Sequence, residues 1–348
     1  MRSLASVKCI SAIDPIDGAD NILVASIDGW KAVIGRSNGY SVGQLVVYCE
    51  IDSVLPTTNP EFSFMEKYNY RVKTIRLRKQ VSQGITFPLS ILPEGDWKEG
   101  DDVTELLGIV KYEPPEDNSG GCGARLGGNT RGSFPSFLVK SDETRVQGGH
   151  GLLNRIQGLK AYSTIKCDGS SFTAYLFEGK FGVCSRNQEK KYDPENAESD
   201  AFCNIAKKLD IEKKLSQYVF DTGVDGIAIQ GELVGPGIQK NRMKLAEHEL
   251  FIYNLFFIKG RKYANGRELE SFCNKYGLKM VPVVDWNHEF HTDVQKYVND
   301  SDGLKHESYN GEQVEGLVYR PLEEFEDHKF GRVSFKAINN SFLLKHGE

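Results

Sequence analysis

The sequence lacks any run approaching the roughly 20 uninterrupted apolar residues that a membrane span requires. Its opening residues, Met1-Arg2-Ser3-Leu4, do not form a charged-then-apolar secretory leader. Together these absences lead us to expect a soluble chain with an intracellular address and no membrane partner. The seven cysteines (Cys9, Cys49, Cys122, Cys167, Cys184, Cys203, Cys273) are an odd number without C-x-x-C spacing. They signal neither a disulfide framework nor a zinc site, and reduced thiols are expected. No internal repeat is present. An excess of positive charge is missing too: the formal net charge is −5. Taken alone, that disfavours a partner as anionic as nucleic acid, because phosphate contacts supply much of that affinity.

Local charge departs from the sum. Arg71, Lys73, Arg76, Arg78 and Lys79 form one basic tract, and Lys240, Arg242 and Lys244 form another. Each is either a solvated charged face or an anion-binding surface. A chain of 348 residues with 39% hydrophobic content can bury a core and suggests two domains rather than one.

Residues 1–112 read as all-β. Leu23 to Ile27, Trp30 to Ile34 and Leu45 to Tyr48 are short apolar alternations separated by Asp28-Gly29 and by Gly39 or Gly43, a spacing that fits a small barrel. Residues 113–133 begin Glu113-Pro114-Pro115-Glu116 and continue rich in Gly, Asn and Ser, too polar to order as a core. They are expected to be a linker, or a loop just inside the next domain.

Residues 134–348 read as α+β with antiparallel pairings. Phe172 to Leu176 and Lys180 to Cys184 flank Glu178-Gly179 as a hairpin. Helical spacing appears at Phe202, Ile205, Ala206 and Leu209, and again at Leu269, Phe272, Cys273 and Tyr276, with Gly277 as terminator. Strands are expected at about 226–234, 250–258 and 314–320. The aromatic stripe Phe251, Tyr253, Leu255 and Phe257 is expected on one strand face.

Chemistry concentrates in six segments. Lys166-Cys167-Asp168-Gly169 precedes the hairpin, and Ser185-Arg186-Asn187 ends it. Gln230-Gly231-Glu232-Leu233 and Phe251-Ile252-Tyr253-Asn254 lie in strands, and Glu315-Gly316-Leu317-Val318-Tyr319-Arg320 is followed by Ser334-Phe335-Lys336-Ala337-Ile338. In this order the segments resemble the collinear motifs of the covalent nucleotidyltransferase superfamily, which comprises DNA ligases, RNA ligases and mRNA capping enzymes. The resemblance covers about residues 134 to 348 and implies an adenylyltransferase domain of the ligase and capping-enzyme (ATP-grasp-like) fold.

It further implies that Lys166 is the nucleophile that carries AMP. A lysine amine has a pKa near ~10.4 and must lose its proton to attack phosphorus, helped by desolvation and nearby positive charge. Arginine cannot substitute, because guanidinium stays protonated. Gly169 lets the backbone approach a nucleotide at the turn after Asp168. Glu232 and Glu315 are carboxylates in apolar strands, where a cation partner such as Mg2+ or Mn2+ offsets their burial.

By resemblance, Glu315 helps hold metal and Glu232 contacts ribose or metal. Arg186 and Asn187 bind ribose hydroxyls, and Tyr253, or else Phe251, stacks on adenine. Lys336 and Lys345 neutralise phosphate charge. The segment Phe137 to Gln147 resembles one that RNA ligases place upstream of the lysine, which puts Arg145 on ATP phosphates or an RNA end. Where some relatives have an acidic residue just before the lysine, this chain has Thr164 and Ile165, so backbone groups there are expected to read adenine. Arg320 stands where many relatives carry lysine.

Capping enzymes and most DNA ligases carry their OB module after the transferase, whereas here twelve residues follow Lys336. The expected OB-like barrel is therefore N-terminal, the arrangement of one RNA ligase group of bacteria and protists. Tyr48 to Pro56 and Ile75 to Gly84 resemble that group's N-terminal module, so Arg71, Lys73, Arg76 and Arg78 are expected to bind phosphates around a nick. The resemblance implies a monomeric, ATP-dependent RNA ligase that joins 3′-hydroxyl and 5′-phosphate ends. Its rivals are a DNA ligase, a guanylyltransferase and an inactive OB-containing RNA-binding protein.

Overall fold

Trp30, Ala32 and Ile34 alternate inward along the strand Trp30–Gly35, and this period of two commits one face to the core. The strand pairs with Ala19–Ile27 around Asp28-Gly29, with Asp28 at φ 50°. Ala12–Ile16 extends this sheet, and a second sheet runs Ala5–Cys9, Leu45–Cys49, Ile85–Pro88. Trp30, Tyr48, Phe62 and Phe87 fill the core shared by both. The computed structural model describes residues 3–112, 130–197, 200–328 and 330–347. Cys122 and most of the expected linker therefore lie outside the described residues. The linker's last residues, Thr130–Ser133, form a strand paired with Gln188–Lys190 in the larger sheet of the second unit.

That second unit is built on two sheets. An eight-stranded sheet is centred on Ser170–Phe177, Ile227–Val234 and Glu249–Phe257. One face buries Phe172, Ile229, Leu233, Ile252 and Leu255 against helices Ala201–Lys208, Ile211–Thr222 and Gly266–Tyr276. The helix Gly266–Tyr276 opens on a capping box between Asn265 and Glu268 and stops at Gly277, at φ 61°. The five-stranded sheet runs Thr144–Arg145, Phe335–Ile338, Gly316–Pro321, Lys160–Lys166, Val283–Glu289.

Register decides what each face of that sheet carries. Lys166 pairs with Gly316, Thr164 with Val318, Val318 with Lys336, and Lys336 with Arg145. Paired residues share a face, so Lys166, Lys336 and Arg145 project to one side. The opposite side buries Ile165, Leu317, Tyr319, Phe335 and Ala337 beneath the helix Val294–Ser301.

The N-terminal unit docks on the second one through polar contacts. Gly29 N–H donates to the carbonyl of Gln147 at 3.1 Å, a close approach where a Cβ would collide with Gln147 backbone. Gln83 Nε2 donates to Asn340 Oδ1 at 3.2 Å, and Arg145 Nη2 to Asp52 Oδ2 at 3.2 Å. No described helix is long and apolar enough to cross a membrane.

Candidate active site

Lys166 ends its strand beside the loop that brings Glu315 to the start of the neighbouring one, and Nζ lies 2.6 Å from Glu315 Oε2. Burial by itself would lower this amine's pKa; Glu315, and after it Glu232, overrule burial and raise it. The ligand-free lysine is thus an ammonium held by acids, whereas sequence reasoning expected positive neighbours to favour the neutral amine.

The turn after the lysine is held from three sides. Asp168 N–H donates to Tyr309 Oη at 2.8 Å, and that hydroxyl donates to the Lys166 carbonyl at 3.3 Å. Arg242 Nη1 donates to Asp168 Oδ2 at 2.5 Å. Gly169 N–H donates to Glu232 Oε1 at 3.1 Å, and a Cβ on Gly169 would sit 2.3 Å from the Leu233 carbonyl oxygen. The close approach at Gly169 is to this chain's own strand, whereas the sequence assigned the glycine to the approach of a nucleotide.

Three carboxylates, Asp168, Glu232 and Glu315, face two cations, Lys166 and Arg242. Burial, with Glu315 and Asp168 adding repulsion against the pull of Lys166, pushes Glu232 up to about 8. Burial and Glu315 push Asp168 up to about 6 despite Arg242. Full ionisation of the three carboxylates would leave one negative charge in surplus over the two cations, which a divalent cation would offset. Among the described residues no three acidic, His or Cys side chains are close enough to hold a metal by themselves. The fit is to an ion held by one or two carboxylates, with water and phosphate completing its shell.

Facing this cluster, the eight-stranded sheet presents Ser171, Thr173, Gln230 and Glu232 on one face, since Ser171 pairs with Glu232 and Thr173 with Gln230. A narrow cleft is lined by Phe134, Lys140, Ser141, Ser171, Thr173, Arg186 and Gln230. At its rim Arg186 Nη2 grips both oxygens of Asp142 at 3.0 and 2.9 Å, and Lys140 Nζ donates to Asn187 Oδ1 at 2.8 Å. Gln230 is fixed by donating to the Val139 carbonyl at 2.7 Å and accepting from Asn254 Nδ2 at 2.8 Å.

The aromatic stripe does not share one face. A bulge shifts the register so that Gly231 pairs with Ile252 but Gln230 with Asn254, which leaves Tyr253 as the extra residue. Leu255 and Phe257 then join the helix-covered core, while Phe251 and Tyr253 turn to the other side. Tyr253 Oη meets Ser141 Oγ at 2.9 Å and Ser171 Oγ at 3.5 Å, both cleft-lining residues. Phe251 is buried near Cys167 and Met243.

Other expected residues fall at varied distances from this centre. Lys336 sits beside Arg145 on the sheet's open face and acts electrostatically on Asp142 and Glu143. Arg145 is buried against Asp52, with Nε and Nη1 lacking hydrogen-bond partners. Arg320 is a buried structural group, donating to Glu143 at 2.7 Å, the Tyr253 carbonyl at 2.8 Å and Ser334 at 3.1 Å. Ile165 gives its N–H to the Pro282 carbonyl. Lys345 is exposed on the C-terminal helix Asn340–His346.

In the N-terminal unit Arg71 stacks on Tyr112 at 3.5 Å and pairs with Asp52 at 3.6 Å, Lys73 is half-buried, and Arg76 and Arg78 are exposed. Sequence reasoning missed Tyr309, which ends the short 3-10 helix Glu307–Tyr309. It saw Arg242 as part of a basic tract and not as the partner of Asp168.

An OB-fold unit followed by two facing sheets, with a lysine held among carboxylates between them, is the build of a covalent nucleotidyltransferase. A family model described as OB-fold domain matches residues 4–89, and one described as RNA ligase matches residues 160–338. No curated protein sequence matches. A solved Naegleria gruberi RNA ligase with PPi is similar at 32% identity and a TM-score of 0.85, covering 100% of this chain and 99% of that one. A mutant of that ligase with ATP and Mn shares 32% identity at TM-score 0.84, and another with AMP and Mn shares 33% at 0.85; each covers 99% of both chains. The chain belongs to the RNA ligase family.

Proposed function

We propose that this RNA ligase works through an adenylate carried on Lys166 and joins a 3′-hydroxyl to a 5′-phosphate. The observation that carries the reading is the Lys166 amine at 2.6 Å from Glu315, with Glu232 and Asp168 in the same buried cluster. ATP is the nucleotide, in keeping with the ATP and AMP complexes of the Naegleria ligase. Mg2+ or Mn2+ is the metal, held by Glu315 and Glu232; when bound it supplies positive charge that stabilises the phosphates and competes for the acids holding the ammonium.

Three in-line displacements follow. Lys166 Nζ gives up a proton, for which Glu315 Oε2 is within reach, and attacks the α-phosphorus; the N–P bond forms and pyrophosphate leaves. An oxygen of the RNA 5′-phosphate then takes the AMP, and Nζ departs and regains a proton. Finally the RNA 3′-hydroxyl attacks the activated 5′-phosphate, loses its proton and expels AMP. Lys336 and Arg145, on the same sheet face as Lys166, serve the phosphate charge. Tyr253, Arg186 and Asn187 surround base and ribose, and Lys345 serves phosphate from the C-terminal helix.

Residues 1–112 form the RNA-binding OB unit and 134–348 the adenylyltransferase, with the substrate an RNA carrying apposed ends and the enzyme acting as a monomer. Incubation with α-labelled ATP and metal is expected to leave acid-stable label on Lys166. Label retained in Lys166→Ala defeats the assignment.

A further inference from the structure

The basic tract of residues 240–244 reaches the nucleophile through a short chain of contacts. Arg242 bonds Asp168, two residues beyond Lys166, at 2.5 Å. Its guanidinium stands 5.0 Å from the centre of the Phe342 ring in the helix Asn340–His346, and Phe342 meets His346 at 4.5 Å. That helix therefore sits directly against the tract. The loop is anchored rather than loose, since Asn310 Nδ2 donates to the Met243 carbonyl at 2.8 Å. It also turns through Gln239, Asn241 and Lys244 at positive φ of 46°, 44° and 53°. Non-glycine residues reach such angles at some cost, which the surrounding anchors sustain.

At its other end the same helix touches the OB unit, where Gln83 bonds Asn340 at 3.2 Å. Gln83 directly follows the hairpin Ile75–Leu77/Gln80–Ser82, which exposes Arg76, Arg78 and Lys79. A helix of seven residues spans roughly 10 Å. It thus joins two exposed basic groups across the domain junction: the OB hairpin at one end, Lys240 and Lys345 at the other.

Two bases of the second group are matched by acids. Lys244 is matched by Glu312 at 2.5 Å and Arg242 by Asp168, and Asp302 accepts the Ser341 amide. Lys240, Lys305 and Lys345 add to the positive side. The field is felt locally: after burial, Arg242, Lys345 and Lys240 all push the His346 pKa down.

We propose that Lys240 and Lys345, continued along the helix Asn340–His346 to Arg76, Arg78 and Lys79, form one track for the phosphates of an RNA strand crossing the domain junction. The track passes the mouth of the Lys166 site at Asp168, so a strand lying on it presents its end phosphate to the adenylate. Arg242 is the positioning residue that ties track to nucleophile. This inference rests on the ligase reading.

The test uses Lys240→Ala and Lys240→Glu in the full chain with a nicked RNA duplex bearing 3′-hydroxyl and 5′-phosphate ends. Transfer of label from ATP to the wild-type protein checks the underlying reading first; no label there sinks that reading and not this surface alone. With label transfer in both variants equal to wild type, RNA affinity is expected to fall severalfold for Ala and at least tenfold for Glu. The slope of log affinity against log salt should drop by about one for Ala. Unchanged RNA affinity and salt slope in Lys240→Glu overturn the track, as does an affinity loss accompanied by an equal loss of label transfer.

Discussion

The Tyr309 hydroxyl donates to the carbonyl oxygen of Lys166 at 3.3 Å and accepts the amide N–H of Asp168 at 2.8 Å. One fully buried phenol thus fixes the backbone on both sides of Cys167 and with it the direction in which the Lys166 side chain leaves the strand. In Tyr309→Phe the ring packing remains and the Asp168 amide loses its acceptor, a cost of about 1–3 kcal/mol for a buried donor. Label transfer from ATP to Lys166 is expected to slow roughly tenfold, as about 1.4 kcal/mol of barrier gives. Single-turnover rates check it, with ATP affinity measured alongside. An unchanged rate means that the turn is held well enough by Arg242 and Glu232.

Much of this centre was legible in the sequence because its chemistry needs particular side chains in a particular order. Lys166, Glu232 and Glu315 could be picked out before any fold was known, and the structure gathers them. Tyr309 could not, since its partners lie 143 and 141 residues earlier and a lone tyrosine carries no spacing signal. The bulge at Tyr253 was hidden for a related reason. Alternation in Phe251 to Phe257 implies a single face, but the register is set by the partner strand, where Gly231 lets the Phe251 carbonyl come within 2.7 Å of where a Cβ would be. Likewise Arg320, chosen by motif, serves Glu143 and the Tyr253 carbonyl, a role that only tertiary packing defines.

The surplus of carboxylates around Lys166 predicts that the proposed transfer of AMP to this lysine depends on metal. A chelator should abolish label transfer, and added Mn2+ or Mg2+ should restore it. Glu232→Ala is expected to raise the metal concentration needed for half-maximal labelling by at least tenfold, in the range found when supporting ligands are lost. Labelling that persists after exhaustive chelation contradicts this account.

Glu143 supplies a pH dependence of stability that is separate from catalysis. Burial alone would raise its pKa, but Arg320 and then Arg332 hold it down to about 2, from an ordinary value of 4.5. A depressed folded-state value means that the stabilisation is complete above about pH 4.5 and is lost as pH falls towards 2. Its full size is on the order of 3 kcal/mol, as the fall of the pKa from 4.5 to about 2 implies. In Glu143→Gln, Arg320 stays buried without its counter-charge. The denaturation midpoint at pH 7 should therefore drop, and the difference from wild type should shrink on titration from pH 5 to 3. Parallel stability curves across that range would show that the pair contributes nothing pH-dependent.

The OB hairpin offers a case where stability and function are expected to move in opposite directions. Leu77 pairs with Gln80, so Arg78 and Lys79 alone make the turn, at φ 49° and 70°. Two-residue turns of this kind favour Asn-Gly, because both central residues must take left-handed angles. Two long basic side chains there cost conformational energy, and both are exposed. Replacing them as Arg78→Asn with Lys79→Gly relieves that strain and should stabilise the N-terminal unit by about 1 kcal/mol. If the turn keeps its cations for RNA phosphates, the same double variant should bind nicked RNA several times more weakly, with a salt slope lower by up to about two. Label transfer from ATP should be untouched, since the hairpin lies in the other unit. Thermal melting, RNA titration at two salt concentrations and ATP labelling separate these effects. A variant that melts higher and binds RNA as tightly as wild type would show that the strained cations serve some purpose other than the nucleic acid.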